Sequence, residues 1–169
     1  MAEAVSEGGG ERKVMVAIDE SEYSYYALMW VLDNLKESIS KFPLIIFMAQ
    51  PVTNYRYPHS ASLGSVLMYC PASPAPDFVS SAQENYRKVA LAFLEKAKDI
   101  CASRGVEAEI VTEVGDPRTT ICNAVQKLNI NLLVLGNRGL GKIKRALIGS
   151  VSNYCVQNAK CPVLVVKKP

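Results

Sequence analysis

A single histidine, His59, stands in the 169-residue chain. That scarcity excludes catalysis by two acid–base histidines and leaves a zinc site short of nitrogen ligands. The five cysteines, Cys70, Cys101, Cys122, Cys155 and Cys161, are odd in number and include no C-x-x-C pair. Three of them, Cys101, Cys122 and Cys155, fall on segments of helical periodicity, so they read as free buried thiols of a reducing compartment. No run of 18 apolar residues occurs, which argues against a membrane-spanning helix. The opening segment MAEAVSEGGGERK lacks the apolar core of a secretory signal. It is expected to form a flexible tail over residues 1–12, ahead of one domain over 13–169, in a cytoplasmic protein. A strong excess of one charge is missing too. The net charge is +3 and the pI about 8.6, so neither nucleic acid nor a membrane surface is called for as a partner.

What the chain does have is apolar content, 49% of residues, arranged in alternating short runs and helical stripes. Val14 to Ile18 is a β-type run ending at Asp19, after which Ser21 or Ser24 can cap a helix. Ala27, Leu28, Val31, Leu32 and Leu35 make one face of that helix. Leu44 to Ala49 has no polar alternation, as expected of a strand covered on both faces. Residues 51–78 hold Pro51, Pro58, Pro71, Pro74 and Pro76 and read as a long Pro-rich loop. Two readings of it stay open, a lid over a site or an insertion with no part in binding. From Val79 to about Arg104 a long helix is predicted, with Val89, Phe93, Leu94, Ala97, Ile100 and Cys101 buried and Gly105 ending it. A third strand is expected over Val106–Val111. Asp116 and Pro117 then start a helix as N-cap and first residue, with Ile121, Ala124, Val125 and Leu128 as its inner face. Asn131–Leu135 is the fourth strand, a helix begins near Ser150, and Val163–Val166 is the last strand. Strand and helix repeated four times before a final strand imply an α/β fold with a parallel sheet and right-handed crossovers.

The stretch Leu132 to Ser152, LLVLGNRGLGKIKRALIGSVS, carries the chemistry. An apolar strand runs into Gly136, Gly139 and Gly141, then a basic segment, Lys142 to Arg145, then Gly149-Ser150 at a helix start. Glycines let backbone N–H groups approach a ligand, and a helix N-terminus offers free donors and partial positive charge. The pattern suits an anion, and a phosphate best. The dinucleotide fingerprint G-x-G-x-x-G fails because Lys144 holds the place of its last glycine. A Walker A loop fails because Ile143 replaces the metal-binding hydroxyl. The spacing G-x2-G-x9-G-[ST] fits at Gly136, Gly139, Gly149 and Ser150. The plain alternative is that these glycines only make turns.

That spacing resembles the ATP-binding branch of the universal stress protein family. The likeness extends over about residues 13–167 and includes the strand ending in Asp19, the Gly115-Asp116-Pro117 turn and the final Pro162-Val163-Leu164-Val165-Val166. The resemblance implies a single-domain, Rossmann-like fold of the adenine nucleotide alpha hydrolase type, with helices on both faces of an open five-stranded parallel sheet in the order 3-2-1-4-5. Asp19 and Gly136 would then meet at the topological switch point, where such sheets bind ligands. It further implies that Ala17 and Ala49 flank adenine and that Asp19 accepts from the ribose hydroxyls. Gly136, Arg138 and Gly139 would face the phosphates or ribose on one side, with Gly149, Ser150, Val151 and Ser152 on the other. The plainer roles of these residues are capping for Asp19 and core packing for the alanines. Asn137 departs from the family, where serine is common. The implied ligand is ATP or AMP, with Mg²⁺ reaching the site only through its phosphates. The implied assembly is a homodimer through the C-terminal strand, whose edge Val163–Val166 carries no charge.

Three functions follow. The first is an adenine-nucleotide-binding module acting in stress response or signalling. The second is a slow ATPase or phosphotransferase using the same pocket, which needs a positioned water and usually a metal and a general base. Asp19 is the one carboxylate placed in the crevice, so no catalytic residue is assigned, and no metal ligand. The third is an interaction module without nucleotide, against which the intact glycine pattern speaks.

Overall fold

The computed structural model describes residues 12–52, 76–137 and 149–169, with 76–79 given by their backbone alone. Most of the expected tail and of the 51–78 loop lies outside these residues, as do His59, Cys70, Arg138, Gly139 and the Lys142–Arg145 segment. Five strands, β1 (Val14–Ala17), β2 (Leu44–Gln50), β3 (Ala108–Val114), β4 (Leu132–Gly136) and β5 (Val163–Val166), form one sheet in the order β3-β2-β1-β4-β5. Every neighbouring pair is parallel. The helices are α1 (Glu22–Asn34), a short α2 (Lys36–Ile39), α3 (Pro76–Ser103), α4 (Pro117–Lys127) and α5 (Ser150–Asn158).

The period-2 pleat sorts each apolar run between two cores. Val14, Val16, Leu44, Ile46 and Val134 point into one cluster with Leu28 and Val31 of α1 and Leu94 and Cys101 of α3. Met15, Ala17, Ile45, Phe47, Leu133 and Leu135 point the other way, onto Ile121 and Val125 of α4 and Cys155 of α5. Coverage on both faces is why β1 and β2 show no polar alternation. Phe47, Met15, Leu28 and Leu133 are almost wholly buried, each worth about 1.5–3 kcal/mol relative to exposure.

The caps form where the sequence places them. Ser21 is the N-cap of α1 and its hydroxyl accepts from the Ser24 amide at 3.3 Å. Asp116 caps α4, accepting from the Arg118 amide at 2.9 Å, with Pro117 first in the helix. Gly105, at φ +73°, turns the chain out of α3, and the Val106 amide closes onto the Cys101 carbonyl at 2.9 Å.

Five sequence expectations shift. Val106 is buried but belongs to the turn after Gly105, so β3 starts two residues later and runs to Val114, pairing Thr112, Glu113 and Val114 with Met48, Ala49 and Gln50. Val89 is 56% exposed, because the inner stripe of α3 is Ala90, Leu94, Ala97 and Cys101 and Val89 sits about 100° off it. Helix α3 begins at Pro76, before Val79, and α2 interrupts the simple strand–helix alternation. β4 opens at Leu132 and includes Gly136. Among the described residues, no helix is long and apolar enough to cross a membrane.

Candidate functional site

β1 and β4 lie side by side, Ala17 paired with Leu135, and their chains leave toward opposite faces of the sheet. A cavity of about 410 Å³ opens at their carboxyl ends, within the range of small-molecule sites. Ala17 and Asp19 reach it from β1, Leu135 and Gly136 from β4, and Ala49 from β2. Pro117 and Ile121 of α4 and the segment Gly149–Ser152 of α5 complete the wall. Of the ten residues the sequence singles out, eight therefore line one cavity, and Arg138 and Gly139 lie outside the described residues. Ala17 and Ala49 share the α4–α5 face of the sheet, since Ala17 is in register with Phe47, two residues before Ala49.

Asp19 stands just beyond β1, half-buried at the cavity rim. Its Oδ1 accepts the Ser21 amide at 2.9 Å and also the Ser21 hydroxyl. The Ser24 hydroxyl accepts from the Asp19 amide at 3.0 Å and lies 2.8 Å from the Asp19 carbonyl oxygen. These bonds fix both the backbone and the carboxylate of Asp19 at the start of α1. Ser21 and Ser24 line the cavity as well, a role their capping spacing conceals.

The N-terminus of α5 lacks a capping side chain, because the N-cap is Gly149. The first intrahelical bond runs from the Asn153 amide to the Gly149 carbonyl at 2.8 Å. The amides of Ser150, Val151 and Ser152 are thus the orphan donors of this helix, and they have no acceptor among the described residues. The Gly149 amide is taken at 3.2 Å by Oδ1 of Asn137, whose own amide donates to the Val166 carbonyl at 2.8 Å. Asn137 so ties β5 and α5 to the end of β4. Ser152 is buried, and its hydroxyl donates to the Gly136 carbonyl at 3.2 Å.

Gly136 has a packing reason of its own. A Cβ there would lie 2.4 Å from the Tyr23 carbonyl oxygen and 2.8 Å from the Ser24 amide nitrogen. The first turn of α1 rests on the β4 backbone at that point. Arg118 forms an exposed ion pair with Asp116 at 3.0 Å and lies 5.9 Å from the Tyr154 ring centroid. That pairing holds the Asp116 carboxyl below its ordinary range, the Arg118 hydrogen bond contributing most. Among the described residues, no three His, Cys, Asp or Glu side chains are grouped to hold a metal ion.

An open parallel sheet of this order, with its crevice at the switch point, is a doubly wound α/β fold of Rossmann-like type. The chain belongs to the universal stress protein family. A profile of the Universal stress protein family matches residues 60–167. The Universal stress protein A-like protein of Arabidopsis thaliana is 32% identical over 95% of this chain and 93% of its own length. A universal stress protein family member from Arabidopsis thaliana, solved with AMP bound, superposes with a TM-score of 0.65 at 26% identity, covering 94% of this chain and 92% of that one. A universal stress protein solved in complex with cAMP gives 0.57 at 25% identity, over 92% and 95%.

Proposed function

We propose that the crevice binds an adenine nucleotide, AMP or ATP, and that the protein is a nucleotide-dependent binding module acting in stress response or signalling. The observation that carries this reading is the uncapped N-terminus of α5 opening on the same cavity as the Asp19 carboxylate. Three orphan amides and the helix dipole suit a phosphate. An anchored carboxylate is an acceptor for the two ribose hydroxyls. Ala17 and Ala49, both small, leave room for a flat base against the α4–α5 face. Arg138 and Gly139, following Asn137 in the sequence, would reach the phosphates or ribose from the side of β4. The AMP and cAMP complexes of the two solved relatives support the same ligand class.

Mg²⁺ would be held by the phosphates, since Asp19 is the one carboxylate among the described lining residues. For the same reason ATP turnover should stay below ordinary enzyme rates of ~1 s⁻¹, as a steady-state phosphate-release assay would read. The protein would work in the cytoplasm as a homodimer paired through β5.

Calorimetry with AMP and ATP tests the pocket. Gly149 has φ −54° and ψ 153°, a conformation open to valine, so Gly149→Val should stay folded while its branched carbons crowd the phosphate seat. Affinity should fall at least tenfold, about 1.4 kcal/mol. Unchanged affinity in the folded variant, or a wild type that binds neither nucleotide, would sink the reading.

A further inference from the structure

Beneath the crevice lies a group of thiols that nucleotide binding does not use. Cys122 of α4 and Cys155 of α5 are buried and free, with their Sγ atoms 4.0 Å apart. Cys161, before β5, is half-buried and packs against the same apolar cluster. Cys101 is as deeply buried but lies in the other core, across the sheet. The Cys122–Cys155 contact also has a position. Cys122 follows Ile121 directly, and Cys155 stands one turn after Val151, and both Ile121 and Val151 wall the cavity. The two sulfurs therefore join the helices whose first turns shape the crevice.

We infer that Cys122 and Cys155 are a modification site: an intramolecular disulfide forms between them under peroxide, and closing it reshapes the crevice between α4 and α5. The second half rests on the nucleotide reading given above. In the first step one thiolate attacks a peroxide oxygen. The O–O bond breaks, the sulfur becomes a sulfenic acid, and the departing hydroxide takes a proton to give water. In the second step the other thiolate attacks the sulfenic sulfur. The S–S bond forms, the S–O bond breaks, and hydroxide leaves as a second water. Two sulfurs lose two electrons in all, and the peroxide gains them. A neighbouring thiol at 4.0 Å intercepts the sulfenic acid before it climbs to irreversible states.

An S–S bond of about 2.05 Å requires the sulfurs to approach by roughly 2 Å from their present separation. Part of that comes from rotation about χ1, and the rest draws α4 and α5 together. The crevice narrows, and a nucleotide seated between Ile121 and Val151 loses room. By reciprocity, bound nucleotide holds the helices apart and disfavours the linkage at equilibrium. Burial pushes the Cys155 thiol up to about 12, with the nearby Cys122 adding to the effect. Cys155 is therefore overwhelmingly protonated at pH 7 and contributes little thiolate to the linkage there.

The experiment uses the full reduced chain treated with hydrogen peroxide, followed by alkylation of the remaining thiols and peptide mapping by mass spectrometry. The Cys122–Cys155 peptide should be the dominant crosslink, with Cys101 still alkylated. The crosslink should vanish in Cys155→Ser and persist in Cys161→Ser. A dominant crosslink through Cys161 or Cys70 would overturn the assignment. So would unlinked Cys122 and Cys155 under conditions that oxidise the denatured chain. The wild-type map is decisive even if a variant fails to fold. In the second arm, calorimetry should show AMP binding at least fivefold weaker after oxidation and unchanged in identically treated Cys155→Ser. Equal affinities in the reduced and oxidised wild type would refute the coupling. A reduced protein that binds no AMP would sink the nucleotide reading and the coupling with it, while the crosslink map stands by itself.

Discussion

Replacing Gly136 by alanine puts one methyl group where the fold has no room for it. The new carbon would sit 2.4 Å from the Tyr23 carbonyl oxygen, 2.6 Å from its carbonyl carbon and 2.8 Å from the Ser24 amide nitrogen. All three are backbone atoms in the first turn of α1, so no side-chain rotation relieves the contact. Comfortable separations start near ~3.5 Å, and the turn must retreat by roughly 1 Å. The Ser24 bonds to the Asp19 backbone, now 2.8 and 3.0 Å, stretch with it. Overpacking of this kind costs about 1–3 kcal/mol, while the stiffer unfolded chain offsets ~0.4–1 kcal/mol. A net loss near ~1–2 kcal/mol corresponds to a fall in melting temperature of about 2–8 °C for a chain of this size. Thermal melts followed by circular dichroism would read it. Gly105→Ala is the companion variant: its methyl meets nothing within 4 Å, but φ is +73°, so only left-handed strain of roughly 1 kcal/mol remains. A Gly136→Ala protein melting within ~1 °C of wild type would refute the packing argument and return Gly136 to a purely ligand-facing role.

Other expectations follow from the same packing. Asp116→Ala removes the N-cap of α4 and should lower stability in urea by ~1 kcal/mol, the exposed pair with Arg118 adding little. Burial raises the Cys101 thiol from 9.0 to about 11 and the Cys155 thiol to about 12. The folded state therefore keeps protons that the unfolded chain releases first. Stability should be full below pH 9 and fall as pH climbs toward 12, and urea titrations in that window should show a shallower decline for Cys101→Ala. The Pro162 carbonyl accepts from Leu133 of β4 and the Val166 carbonyl from Asn137 just beyond it, so by the pleat's alternation Val163 and Val165 turn their N–H and C=O groups to the outer edge. Val165→Pro removes one outward donor and spares the β4 ladder. Sedimentation of the wild type should give about twice the 18.5 kDa chain mass, shifting toward monomer in the variant; a wild-type monomer at micromolar concentration rules the edge-paired dimer out.

That the sheet is parallel and covered on both faces was legible because β1, β2 and β4 are unbroken apolar runs, whereas its order followed only from the family resemblance that the glycine spacing carries. The start of α4 was legible because Asp116 stands alone before Pro117, whereas Ser21 and Ser24 both offered a cap for α1 and the fold takes Ser21. β3 was harder. Val106 is as apolar as any strand residue, yet the turn after Gly105 claims it, and Thr112–Val114 pair with β2 despite their polar company. Val89 misled because neighbouring apolar residues on α3 define two adjacent stripes, and only packing against β2 and β3 selects one. The roles of Asn137 and of the Cys122–Cys155 pair depend on contacts between residues 12 and 33 positions apart, and no local pattern signals either.

The bond between Asn137 and Gly149 has a consequence for protein engineering. It makes the anchor points of residues 138–148 near neighbours, so the chain departs from and rejoins the scaffold at almost one place. Closing a loop between such fixed ends depends only weakly on its length, about 0.6 kcal/mol per doubling. Residues 140–148 can therefore take an insertion, with Arg138 and Gly139 kept for the nucleotide. A longer sequence, an epitope or a fluorescent reporter grafted there would carry a modest entropic cost and leave the sheet intact, provided that Asn137 and Gly149 are kept as its clasp.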